Sequence, residues 1–261
     1  MFIDSHCHLN FDCFKSELPK VIQELKAAHI HQLIIPGTDA KRWPDIISLS
    51  EQYSEFYFAL GIHPHFLASF QEKDLATLKC SLDSLLKSNH HKCVALGEIG
   101  LDKRIDTSME TQEKVFLAQL ALAEHFKLPV ILHVVKTQAR MLQLLKLNKF
   151  SYGGVYHAFS GSEETANEFI KLGFKLGIGG VITYPNASKT RQAVKQLPVS
   201  SLILETDAPD MPIYQQSQKI NTPINTIKIF EALCKLRDEP KEVLEQHLYL
   251  NTVSIFSINH D

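Results

Sequence analysis

Short runs of Val, Ile, Leu and Phe alternate along this chain with longer stretches in which apolar residues recur every three or four positions. Runs that are apolar on both faces, separated by amphipathic helical segments, predict repeated βα units around a parallel sheet. Strands are expected near residues 2–5, 32–36, 56–61, 93–97, 129–133, 154–157, 174–178 and 201–205. Helices are expected near 16–29, 41–53, 72–88, 110–126, 138–147, 163–172, 188–197, 224–236 and 239–250. Turn residues such as Pro36-Gly37, Gly61, Gly100 and Gly173 stand between them, and no linker breaks the alternation. Eight such units in 261 residues fit a (β/α)8 TIM barrel better than a doubly wound sheet, which more often stops at about five or six strands. One α/β domain over residues 1–261 is therefore expected.

In a parallel barrel the chemistry sits at the C-terminal ends of the strands. Here those ends carry Asp4-Ser5-His6-Cys7-His8, Gly97-Glu98, His133, His157 and Glu205-Thr206-Asp207. His6 and His8 have the period-2 spacing that points two imidazoles to one face of an extended segment. Taken alone, that pair is as readily two ordinary polar residues at a strand end. His133 and His157 singly read as hydrogen-bonded histidines, and Glu98 and Asp207 as helix caps or surface carboxylates. Their convergence at one end of one barrel decides for a metal site. Six N/O donors exceed the roughly three that a catalytic zinc takes, so two divalent ions are expected. Glu98 would bridge ions about 3.5–4 Å apart, with His6, His8 and Asp207 on one side and His133 and His157 on the other. Donors without thiolate are compatible with Zn, Mn, Mg, Ni or Fe, imidazole leaning toward the zinc-like metals. The expected chemistry is hydrolysis by an activated water, with Glu98 and Asp207 as the catalytic carboxylates and Asp207 orienting or deprotonating that water. Glu205 either steadies a ligand from behind or closes a salt bridge at the barrel end.

Composition sharpens this picture by exclusion. With 44% hydrophobic and 21% charged residues the chain is ordinary globular material, which rules out disorder, collagen and coiled coil. No apolar run approaches the roughly 20 residues of a membrane span. The cysteines number five, an odd count with no CxxC, which suits reduced thiols and a cytoplasmic setting. A net charge of −2 is no footprint for broad nucleic-acid binding. Two divalent ions outweigh two carboxylates, however, so attraction for phosphate would be local. Of the 13 histidines, His29, His31, His90, His91, His125, His247 and His260 are expected on or beside helices. The other six gather at the strand ends and in a His63-Pro64-His65 turn. No obligate protein partner is indicated.

The stretches DSHCHLN (4–10), GIHPH (61–65), GEIGLD (97–102), ILH (131–133), HAFSG (157–161) and LETDAPD (204–210) resemble the TatD-like family of metal-dependent deoxyribonucleases, within the amidohydrolase-type barrels. The likeness runs from the first strand to the eighth, and VITYPNASK (181–189) looks most like the bacterial YjjV-type branch. It implies the same six metal ligands, His6, His8, Glu98, His133, His157 and Asp207. It also implies that His63 helps bind the scissile phosphate. His65, beside it, is expected as a second substrate contact, the alternative being that His63-Pro64-His65 is a turn whose shape Pro64 fixes.

The chain departs from the family pattern in two places. Val134-Val135-Lys136 follows His133 where many members carry an arginine, so Lys136 would meet phosphate as a point charge and not a bidentate fork. The loop QQSQKINTPIN (215–225) lacks a common Arg-Asn-Glu-Pro pattern, which removes support for a phosphate contact there while keeping Asn221 and Pro223. Lys189 and Arg191, at the opening of the helix near 188–197, are either anion handles or solvated charges. Phe66, Tyr184 and Tyr214 either stack on a base or anchor loops.

The expected function is hydrolysis of DNA phosphodiester bonds at ends or in single strands. An alternative keeps the site and takes a small amide, ester or lactone; a strand-4 lysine would have favoured it, and Glu98 stands there instead. A second alternative, a binding scaffold without catalysis, is opposed by the intact donor set.

Overall fold

A strand that is apolar on both faces needs a partner on each side, and a closed barrel ringed by helices supplies both. In the computed structural model, which describes residues 1–88, 91–216 and 220–258, eight parallel strands pair in chain order. They are β1 (Phe2–Asp4), β2 (Ile30–Ile35), β3 (Phe56–Leu60), β4 (Cys93–Asp102), β5 (Val130–Val135), β6 (Gly154–Tyr156), β7 (Phe174–Ile178) and β8 (Leu202–Leu204). Around them lie α1 (Asp12–Lys15), α2 (Leu18–Ala27), α3 (Trp43–Gln52), α4 (Glu72–Leu85), α5 (Met109–Phe126), α6 (Gln138–Leu147), α7 (Glu163–Lys171), α8 (Ser188–Gln196), α9 (Thr226–Cys234) and α10 (Lys241–Phe256). The fold is the amidohydrolase-like (β/α)8 barrel. None of the described helices is long and apolar enough to cross a membrane.

Two apolar clusters divide the strands by parity. Ile34, Ala59, Ala95, Ile131, Val155 and Ile203 form the barrel interior with Phe256 and Ile258 of the C-terminal segment. Their neighbours Leu33, Ile35, Phe58, Leu60, Leu96 and Leu132 pack outward in the larger core under the helices. Period-2 alternation then carries the inward face of β5 from Ile131 to His133, of β6 from Val155 to His157, and of β8 from Ile203 to Glu205 and Asp207. Apolar residues fill the barrel below and polar ones crown it.

Four features depart from expectation. Strand β4 runs to Asp102 rather than stopping near 97, because EIGL is buried throughout and pairs with β5. The register shifts between Leu96 and Ile99, and this irregularity turns Glu98, which simple alternation from Ala95 would aim outward, toward the barrel mouth. The helix expected over 16–29 spans Leu18–Ala27, where Pro19 suits a first helical turn, and a short helix that the pattern did not predict, Asp12–Lys15, precedes it. The helix expected from 224 begins at Thr226, after a 3-10 turn at Pro223–Asn225. His31, expected on or beside a helix, is an exposed residue of β2, while His90 and His260 lie outside the described residues.

Closure occurs beyond the ends of β1 and β8. Ser5 N donates to Leu204 O at 2.9 Å, Asp207 N to His6 O at 2.8 Å and His8 N to Ala208 O at 2.8 Å. The buried Asp4 carboxylate reinforces this seam: Oδ1 accepts from His6 N and Thr206 N at 3.2 and 3.0 Å, and Oδ2 from Thr206 Oγ1 at 2.6 Å. Burial pushes the Asp4 carboxyl up to about 8, against the pull of those donors.

Candidate metal centre and active site

Glu98 stands at the middle of the crown with its two oxygens divided between two groups. Oε2 lies 3.1 Å from His6 Nε2 and 3.6 Å from His8 Nε2. Oε1 lies 2.9 Å from His133 Nδ1, 3.2 Å from His63 Nε2 and 3.3 Å from His157 Nε2. Asp207 Oδ1 completes the first group, 3.4 Å from His6 Nε2 and 3.5 Å from His8 Nε2. His6 and His8 bring their Nε2 atoms within 3.3 Å of each other.

These separations test whether the residues suit a cation. Four atoms bonded tetrahedrally at about 2.0–2.1 Å to one ion stand ~3.3 Å from each other. Among His6 Nε2, His8 Nε2, Glu98 Oε2 and Asp207 Oδ1, the two imidazole nitrogens stand 3.3 Å from each other and 3.1–3.6 Å from both carboxylate oxygens, and the Nδ1 atoms of His6 and His8 are buried with no hydrogen-bond partner. Two Nε2 atoms facing each other and two carboxylates make a poor hydrogen-bond set and a good ligand set. Among the described residues four such groups occur: His6–His8–Asp207, His6–Glu98–His157, His63–Glu98–His133 and His65–Asp102–His133.

The first group is the one read from sequence, and His133 and His157 both face Glu98 Oε1 with ring centroids 5.9 Å apart. His157 in addition stacks on His6 with ring centroids 3.9 Å apart, and His63 joins His133 at the same oxygen. The cause is the turn after β3, where His63 Nδ1 accepts from His65 N at 3.1 Å and so aims Nε2 at Glu98.

Charge follows this crowding. Burial pushes the Glu98 carboxyl up, yet His63, His157, His6 and His133 together hold it well below the ordinary carboxylate range. Burial pulls His157 down, but Glu98, Asp207 and Glu205 raise it to about 10. His63, dominated by burial, falls to about 4.

Glu205 is fully buried beneath His157. Its Oε1 accepts from Ala158 N and stands 3.4 Å from His157 Nδ1, an ion-pair distance without hydrogen-bond alignment. The bare Cα of Gly177 makes room for it, since a Cβ there would stand 2.0 Å from Glu205 Oε2. Gly177→Ala is expected to displace that carboxylate and lower Tm by roughly 5 °C, the overpacking cost of about 1–3 kcal/mol in a chain of this size, read by thermal unfolding.

Asp102 was not expected in the site. It is fully buried, and Oδ2 lies 3.0 Å from His133 Nε2 and 2.9 Å from His65 Nε2, while Oδ1 accepts from Arg104 N at 2.8 Å. Burial pushes its carboxyl up, but the bonds to His133 and His65 hold it well below its ordinary value. With Nε2 of His133 facing Asp102, Nδ1 is left to face Glu98, which fixes the ring's orientation. The signal was present: once β4 extends through EIGLD, period 2 puts Glu98, Gly100 and Asp102 on one face.

These groups open into a cleft of about 660 Å³ that also takes in His65, Phe66, Arg104 and Lys136. Arg104 is a cation that the sequence reading passed over. Arg191, for which the sequence leaves an anion handle and a solvated charge equally open, donates Nη1 to Ile182 O and holds the turn after β7. Lys189 lies outside this cleft, in a cavity beside it. Tyr184 donates its hydroxyl to Pro212 O at 2.8 Å and packs on Tyr214, so both anchor loops. Asn221 is buried, its Nδ2 donating to Thr206 O and Met211 O behind Asp207; of the loop 215–225, residues 217–219 lie outside those described.

Residues 3–257 match the sequence pattern of TatD-related DNases. The chain belongs to this family. It is 40% identical over 258 residues to YjjV of Escherichia coli K12, an uncharacterized metal-dependent hydrolase, with 98% of each chain covered. The crystal structure of that TatD homologue matches with a TM-score of 0.94 over 99% of this chain and 98% of the other. A Klebsiella pneumoniae relative, 29% identical over 98% of both chains, is named 3'-5' ssDNA/RNA exonuclease TatD. An uncharacterized amidohydrolase from Saccharomyces cerevisiae, 18% identical, shares the TatD-family fold with a TM-score of 0.86 over 98% of this chain and 99% of that one. This TatD-family chain is accordingly a metal-dependent hydrolase.

Proposed function

We propose that this protein is a two-metal phosphodiesterase acting on DNA at ends or in single strands, one catalytic domain working in the cytoplasm. The observation that carries the reading is Glu98, whose two oxygens face two separate sets of donors. His6, His8, Glu98 and Asp207 would hold one divalent ion, and Glu98, His133 and His157 a second. Such ions supply Lewis acidity, making nearby water more acidic and polarising a phosphoryl oxygen. The relative named an exonuclease supports a nucleic-acid substrate, and a cleft of about 660 Å³ has the size for a nucleotide or two and not for a rigid duplex.

The chain's own residues do the rest. Asp207, at the cleft wall, takes the proton of the attacking water on its carboxylate. His63 and Lys136 orient the phosphate, and Arg104 offers guanidinium N–H groups to its non-bridging oxygens. His65 is held at the mouth by Asp102, ready to contact the same phosphate. Glu205 keeps His157 from turning away.

Elemental analysis of the purified protein, followed by assays with Zn, Mn and Mg, tests this. Two equivalents of metal and chelator-sensitive hydrolysis of single-stranded oligonucleotides are expected. Metal uptake should also release protons, because the charge that His157 carries must leave when Nε2 binds a cation, and uptake should weaken as pH falls. Activity that survives chelation, or turnover of amides and lactones in preference to DNA, overturns the reading.

A further inference from the structure

The mouth of the metal cleft is divided by chemistry. After β4 and β5 it is lined by the cations Arg104 and Lys136, and after β8 by the carboxylates Asp207 and Asp210. The described residues that line it after β1, β2 and β3 are His8, Phe11, Thr38, His63, His65 and Phe66, with no Lys, Arg, Asp or Glu among them. Phosphate is drawn toward the cations and the metal donors, which leaves the β1-to-β3 arc to the uncharged part of a ligand.

Phe11 and Phe66 are half-buried and already fixed in place on that arc. Phe11 lies nearly parallel to His8, ring centroids 4.9 Å apart at 22°, and Phe66 meets His63 edge-on at 6.1 Å. The Arg42 guanidinium, which is no part of the lining, stands 5.6 Å from the Phe11 centroid and 5.0 Å from that of Phe66, and it pairs with Asp39. One neutralised cation thus braces both rings at the same edge of the cleft. Rings held in this way stack on a base without first losing freedom.

The loop after β2 adds Thr38 to the same arc. Its backbone O accepts from His63 N at 2.9 Å, and the preceding Gly37 O accepts from Glu98 N at 2.8 Å, so the residue is tied to the metal donors on both sides. Thr38 is 2% exposed, and its Oγ1 is buried with no hydrogen-bond partner among the described residues. A buried hydroxyl left unpaired costs free energy, which a residue on a cleft wall recovers when the polar edge of a ligand reaches it. Because a hydroxyl both donates and accepts, it suits the edge of any base.

We propose that Phe11, Thr38 and Phe66 form the pocket for the nucleobase next to the scissile phosphate, the base lying against the rings and its edge hydrogen-bonded to Thr38 Oγ1. The pocket rests on the phosphodiesterase reading and deepens it, since the unit recognised is a nucleotide and not a bare phosphodiester. Stacking and one two-way hydroxyl serve all four bases, so strands of any sequence are accepted.

Calorimetry on the metal-loaded protein tests it without turnover. Thymidine 3′- or 5′-monophosphate is expected to bind about tenfold more tightly than the matching tetrahydrofuran phosphate, which lacks the base. Phe66→Leu should erase most of that gap, while Tyr214→Leu, which removes an exposed aromatic outside the cleft, should keep it. Thr38→Val should weaken nucleotide binding about fivefold and leave the base-free phosphate unaffected, with Thr38→Ser restoring the parent affinity. Thermal unfolding separates this from a structural role: Oγ1 has no partner to lose in the free protein, so Thr38→Val should not lower Tm. Equal binding of the thymidine and base-free phosphates, or a gap that survives both Phe66→Leu and Thr38→Val, overturns the pocket. The expected gap in a protein that hydrolyses no phosphodiester supports the pocket and removes the phosphodiesterase reading instead.

Discussion

Glu98→Gln is expected to abolish the metal centre and to lower kcat/KM by about 10³-fold or more, ~4 kcal/mol of lost transition-state stabilisation. Glutamine keeps the size of the side chain and its place on β4, so the change isolates the charge. Five histidines face the two oxygens of Glu98, and a neutral amide presents only one acceptor to them. The same substitution should free neither half of the centre to work alone, because each group of donors contains one Glu98 oxygen. Elemental analysis and oligonucleotide cleavage check it together: a variant that retains two equivalents of metal and near-parent activity contradicts the bridging role.

Asp207→Asn is expected to cost about 10²–10³-fold in kcat, the scale of losing a general base, with a smaller change in KM. The backbone makes this a clean experiment. Asp207 sits at φ 57°, in the left-handed region that asparagine tolerates as well as aspartate does. Fold and loop should therefore survive, and thermal unfolding of the metal-free variant should stay close to that of the parent. A variant with unchanged kcat would remove Asp207 from the proton path.

Much of this was legible because the two periodicities are plain in the chain. Ile131 to His133, Val155 to His157 and Ile203 to Asp207 each run along one inward face, so placing the strands also places these candidate donors. What escaped has physical causes. Strand β4 was cut short at its first glycine, and with it went Asp102 and Arg104, although alternation through EIGLD would have found the carboxylate. The irregularity between Leu96 and Ile99 depends on pairing with β5, a tertiary relation that no local pattern announces. The bond from Arg191 to Ile182 O is not legible in the sequence, because a side chain's choice of a nearby carbonyl is settled only when the turn after β7 is in place. His63 was seen as a substrate contact, and the hydrogen bond that swings its ring to Glu98 comes from the backbone two residues on.

The seam at Asp4 has a bearing on how the protein comes into being. The bond from Thr206 N to Asp4 joins residues 202 positions apart, and His6 and Asp207 flank that same join. Contacts so distant in sequence form late, after the intervening chain has been ordered. During synthesis the first strand must wait for nearly the whole polypeptide before its histidines meet their partner carboxylate. A ribosome that stops early thus releases a fragment with most of the helices and no working centre, so that activity appears only with a chain made through its eighth strand.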